Sequence, residues 1–122
     1  MLQKVKQALS PLGTLFGARS GDKGGCANLG VWAKDLDAFA FLSSFLTIEK
    51  LKELMPDLKE FKIERFDLPN ILSLNFYIHD ILEDGVSSNS RKDAQAKSLG
   101  EYLRAKKANI PSSLLETLNE SR

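Results

Sequence analysis

The chain reads as an α+β two-layer sandwich, a mainly antiparallel sheet with helices packed on one face. Three observations point there. The apolar runs come in β-β-α-β-β-α order, two similar halves, as in an antiparallel sheet covered on one side. Residues 71–79 alternate strictly, with Leu72, Leu74, Phe76 and Ile78 on one face of a strand. Between the strand pairs, Leu36, Phe39, Leu42, Phe45 and Leu46 follow helical spacing. At 122 residues the chain fits one domain, 1–122, with a core over about 12–104.

Residues 2–9 read as a short helix stopped by Pro11, because the residue before proline avoids the α region. Strands follow at 12–19 and 28–34. Asp35 or Asp37 caps the first long helix, and Thr47 caps a second carrying Ile48, Leu51 and Leu54, ended by Pro56 and Asp57. The third and fourth strands, 60–66 and 71–79, join through the turn at Pro69 and Asn70. After a polar loop, 91–107 reads as a basic amphipathic helix with Ala94, Leu99, Tyr102 and Leu103 buried. Segments 1–11 and 108–122 read as flexible ends, the latter broken by Pro111 and at most a short terminal helix.

The composition excludes several function classes. Lys and Arg number 17 against 16 Asp and Glu, so the large basic excess of a generic nucleic-acid or anionic-membrane binder is missing. No apolar stretch is long enough to span a bilayer or serve as a secretory signal, so the expected compartment is the cytoplasm. One cysteine, Cys26, forbids an intrachain disulfide. No His, Cys, Asp and Glu cluster has metal-ligand spacing, and no cofactor motif is complete, so neither metal nor cofactor is expected.

Splitting the strands into faces leaves a second, uncovered surface. Opposite the apolar side lie Asn28, Trp32, Asn75, Tyr77, His79 and Arg19. Amides, aromatics, one arginine and one histidine suit either a subunit or domain interface or a ligand platform. Arg65 shares a phase with Phe61 and Ile63, so either a bulge intervenes or its guanidinium points among apolar neighbours. A partly buried Arg65 needs a bond to Asp22, Asp93 or a backbone carbonyl, and would support the loop at 19–25.

That loop carries the most chemistry per residue. Arg19, Ser20, Gly21, Asp22, Lys23 and Gly24 set two cations, a hydroxyl and a carboxylate among glycines. Neither the P-loop nor the dinucleotide fingerprint fits, since Asp22 and Gly24 occupy the positions of the second glycine and the hydroxyl. What remains is a backbone nest for a carboxylate or phosphate, or a tight hairpin with Asp22 paired to a cation. A Cys26 nucleophile would need His79, the only histidine, as its base.

Residues 12–35, 64–82, and 84–86 with 90–100 closely resemble AtuA-like proteins, the acyclic terpene utilisation family, over about residues 12–104. The most specific signature is the run from Arg19 to Gly24. The resemblance implies a ferredoxin-like sandwich, often the C-terminal part of a longer chain, and a link to catabolism of branched acyl-CoA compounds. Arg19, Ser20, Gly21, Asp22, Lys23, Gly24, Asn28 and Gly30 match its first motif. Arg65, Pro69, Asn70, Asn75 and Phe76 match the second, and Arg91, Asp93, Gln95 and Lys97 the third. Cys26, Ala96, Ser88 and Asn89 depart from it, and the departure at Ser88 removes a cation.

The reading that follows is one polar pocket formed by Arg19, Ser20, Gly21, Lys23, Gly24, Asn28, Asn75, Arg91 and Lys97, holding a small anionic ligand. Asp22 and Asp93 are the only acid–base candidates. The resemblance implies a small subunit of an acyl-CoA catabolic system. A non-catalytic module pairing with a larger AtuA-like subunit is the alternative, and an RNA-binding module a weaker one, lacking the aromatic signature of that fold. The expected partners are a second copy in a homo-oligomer, most simply a dimer, and that larger subunit. Nucleic acid and membrane are not expected.

Overall fold

The computed structural model describes residues 7–23, 25–79 and 98–120. Strand β1 (Gln7–Pro11) leads through a 3-10 turn into β2 (Gly17–Lys23) and β3 (Cys26–Trp32). Helices α1 (Leu36–Phe45) and α2 (Ile48–Leu54) precede β4 (Ile63–Leu68) and β5 (Ser73–Ile78). Helix α3 covers 98–105 of the described residues. Strand β6 (Lys107–Pro111) and helix α4 (Ser112–Glu120) complete the fold.

The local signals act as their chemistry dictates. The Asp35 carboxylate accepts the Ala38 amide at 2.8 Å, and the Thr47 hydroxyl accepts the Lys50 amide at 3.0 Å, so both helices start on side-chain caps. A 3-10 turn at Pro56–Leu58 follows α2, because proline cannot continue the helical ladder. Another at Pro69–Ile71 joins β4 to β5 and leaves Leu72 left-handed at φ 54.

The main sheet is fully antiparallel, in the order β2-β3-β5-β4. Its inner face carries Ala27, Leu29, Val31, Ile63, Leu74, Phe76 and Ile78, all buried. Ala38 and Leu42 of α1, Leu51 of α2, and Leu99 and Leu103 of α3 join the same core. Period two in the strands thus meets period 3.6 in the helices across one interface.

Two expectations need correction. Residues 7–9, expected to be helical, are strand, and 1–6 lie outside the described residues. The segment after residue 107, expected as a soft tail, pairs with them. Strand β1 runs antiparallel to β6, from Gln7 against Pro111 to Pro11 against Lys107. Ala108, Ile110 and Leu114 are buried, which ties this ribbon into the core. The element order is therefore longer than β-β-α-β-β-α, with a strand added before it and a strand and helix after it.

Candidate functional site: the open face of the sheet

Residues paired across antiparallel strands share a face, so the register assembles the outer surface row by row. The first row is Gly17, Trp32, Ser73 and Leu68. The second is Arg19, Gly30, Asn75 and Phe66, and the third Gly21, Asn28, Tyr77 and Glu64. Trp32, Phe66 and Leu68 are 42%, 47% and 42% exposed, large apolar areas on one continuous surface.

This face has relief. The Trp32 ring lies against Gly17, where an added Cβ would meet indole atoms at 2.2 to 2.4 Å. Only glycine permits that approach. Among the described residues, a Cβ at Gly21 would meet nothing within 4 Å, and one at Gly30 only Asn75 Oδ1 at 3.8 Å and the Arg19 carbonyl at 3.9 Å. On the β2/β3 half Trp32 covers Gly17, and Gly21 and Gly30 carry no side chain; Tyr77 and Phe66 stand on the β5/β4 half.

Polar groups are arranged between these halves. The Asn28 amide donates to Asn75 Oδ1 at 2.7 Å, joining the two central strands. His79 Nε2 and Glu64 Oε1 share a hydrogen bond of 2.8 Å, with Tyr77 edge-on to the imidazole at 4.8 Å. Arg19 is exposed, and its guanidinium makes no hydrogen bond or ion pair among the described residues.

The expected site is divided by this geometry. Residues 19–23 are not a loop: β2 pairs with β3 out to Lys23 against Cys26. Arg19, Gly21, Asn28 and Asn75 come together on the outer face. Ser20 does not, because alternation turns it inward. Its hydroxyl accepts the Gly100 amide of α3 at 2.9 Å, so it anchors a helix. Asp22 holds the register position opposite Ala27. Gly24, Arg91, Asp93 and Lys97 lie outside the described residues.

Arg65 is also reassigned. The β4 register is continuous from Ile63 to Leu68, so no bulge intervenes and Arg65 sits on the inner face. Its guanidinium reaches the Leu46 carbonyl and the Ser43 hydroxyl, both at 3.0 Å, and forks onto the Asp67 carboxylate at 2.7 and 2.9 Å. The expected backbone carbonyl is present. Yet Arg65 braces the junction of α1 and α2, not the β2–β3 hairpin. The hydrogen bond from Arg65 holds the Asp67 carboxyl below its usual range, against a smaller opposing effect of burial.

The thiol is less equipped than its neighbours suggest. Extending the register one step beyond Ala27 and Ile78 brings positions 26 and 79 together. No hydrogen bond joins the Cys26 thiol to His79 among the described residues, and the imidazole is engaged by Glu64. A separate cleft of about 460 Å³ opens between the turn after α2 and helix α3, walled by Met55, Leu58, Leu99 and Tyr102. Among the described residues, none of the expected site residues line it.

Sequence reasoning missed Phe66 and Leu68, although the signal was present. Once Ile63 and Arg65 point inward, period two sends Glu64, Phe66 and Leu68 outward.

The fold and face define an α+β sandwich with antiparallel sheets, whose main sheet is covered by helices on one side and, among the described residues, by none on the other. The family match agrees. The chain belongs to the AtuA ferredoxin-like domain family, whose model matches residues 10–109, from the end of β1 into β6. Searches of curated proteins and of solved structures found no match. Among the described residues no helix is long and apolar enough to cross a membrane.

Proposed function

We propose that this chain is a small, non-catalytic assembly module of an AtuA-like system for catabolism of small or branched acids as acyl-CoA compounds. The observation that carries this reading is the exposure of Trp32, Phe66 and Leu68 together on the free sheet face. A face with that much apolar area gains more from a protein partner than from water. The link to acyl-CoA catabolism rests on the family resemblance.

Co-purification with a larger AtuA-like subunit tests the role directly. Association of the chain, with a second copy or with that subunit, that is lost on Trp32→Ser with the variant still folded supports it. Turnover of an acyl-CoA compound by the chain alone would overturn it.

Arg19 favours a second reading, in which the face also holds a carboxylate or phosphate. A guanidinium unpaired among the described residues, beside Gly30 and with Asn28 and Asn75 one strand or two away, offers forked donors to an anion. Titration with acetate and phosphate, followed by amide chemical shifts, should move Gly21, Gly30 and Asn75 in the wild type and not in Arg19→Gln. Equal shifts in both would remove Arg19 from the role.

A further inference from the structure

We propose that the free sheet face is covered by the same face of a second copy, across a two-fold axis running along the strands between β3 and β5. The inference rests on the docking role of this face and names its occupant.

The two halves of the face are unlike in shape. A two-fold axis along the strands lays β2 over β4 and β3 over β5 of the other copy, keeping each row in place. Arg19 then faces Phe66, Gly30 faces Asn75, Gly21 faces Glu64 and Asn28 faces Tyr77. Asn75 and Glu64 thus meet the glycines of the other copy, and among the described residues a Cβ at Gly21 would meet nothing within 4 Å. A two-fold axis across the strands would instead set β2 over β2 and β4 over β4. That arrangement stacks aromatic against aromatic and leaves a void between the glycines, which forfeits packing.

Charge agrees with shape. Arg19 lies on one edge strand and Glu64 on the other, about 14 Å apart by three strand spacings, too far to pair within one copy. Across the proposed axis Arg19 lies above Phe66, one row from Glu64. The guanidinium can stack on the ring and reach the carboxylate oxygen that His79 does not use. By symmetry the contact occurs twice.

The area suffices. Four strands about 4.8 Å apart and about 20 Å long make a flat face of roughly 400 Å². With side chains standing off it, each copy offers roughly 500–600 Å², so the pair buries roughly 1,000–1,200 Å², the lower range for a specific interface. Twist would set the two sheets about 30° apart, as in aligned sandwiches.

Sedimentation of the full chain at micromolar concentration should show a dimer. Arg19→Glu and Glu64→Arg should each weaken it by about tenfold or more, since each sets like charges together. The double variant should restore it, which no intrachain effect of residues on opposite edges would do. Gly21→Phe gives an independent check: a Cβ there meets nothing within 4 Å among the described residues, and the second copy would be blocked. Far-UV circular dichroism confirms that each variant is folded. A monomeric wild type, a dimer indifferent to Gly21→Phe, or folded single variants without rescue in the double would each overturn the second copy. If Trp32 in a monomer is shielded from iodide only when a larger AtuA-like subunit is added, the docking role stands and the second copy is refuted.

Discussion

Replacing Arg65 by alanine is expected to destabilise the chain by about 2–4 kcal/mol. The side chain is 17% exposed and makes four contacts of unequal worth. Its bond to the Leu46 carbonyl closes the C-terminal end of α1, and leaving that acceptor without a partner costs about 1–3 kcal/mol. Losing the Ser43 hydroxyl removes roughly another 0.5–1.5 kcal/mol. The Asp67 carboxylate is 48% exposed, so solvent screens the ion pair to about 0–1 kcal/mol. Urea unfolding, with heat as a second probe, measures the sum, and Asp67→Asn isolates the ionic share. Asp67→Asn should cost under about 1 kcal/mol, and Arg65→Lys should fall between, because an ammonium cannot fork. If Asp67→Asn cost as much as Arg65→Ala, the brace on α1 would be irrelevant and the argument wrong.

Two further substitutions and one pH profile probe the scaffold. Gly100→Val should destabilise strongly, because a Cβ there meets the backbone of Ala18 and Arg19 at 3.2 to 3.3 Å and neither chain can yield locally; an unchanged urea midpoint would contradict it. Gly17→Ala should displace Trp32, the only tryptophan, and change its fluorescence while leaving the core intact; an unaltered spectrum would refute the contact. Asp67 releases its proton more readily folded than unfolded, so its stabilisation is full above the ordinary carboxylate pKa of about 3.9 and lost as pH falls through the lower folded value. The acid limb of stability should therefore be shallower in Asp67→Asn, and an identical limb would argue against the hydrogen bond.

Elements with a local cause were legible in the sequence, and those with a distant cause were not. The caps at Asp35 and Thr47 and the alternation of Leu74, Phe76 and Ile78 depend on neighbours a few residues away. Strand β1 depends on β6, about a hundred residues later, and Gln7–Pro11 alone carries only a weak alternation of exposed and half-buried positions. Its helical look up to Pro11 was a local preference overridden by a remote pairing. The candidate site shows the same split. That Asn28, Asn75 and Arg19 share a face followed from period two. That residues 19–23 form a paired strand did not, because glycines among charged residues read equally as a flexible loop.

The adjacent residues Arg19 and Ser20 show how one short motif serves two layers. Strand geometry forces them to opposite faces, so a signature containing both describes two jobs and not one pocket. Ser20 faces inward and accepts the Gly100 amide, at the point where α3 runs so close to β2 that a side chain at 100 would strike the backbone of Ala18. Arg104, one turn further along α3, folds over Gly13 and donates to the carbonyls of Gly13 and Phe16, both at 3.3 Å. These contacts hold β2 flat against the helical layer. A strand fixed from behind presents its outward residues at a set height, and the outward residues of β2 are Gly17, Arg19 and Gly21. The hydroxyl thus fixes the backbone from which Arg19 projects, while its own side chain faces the helical layer.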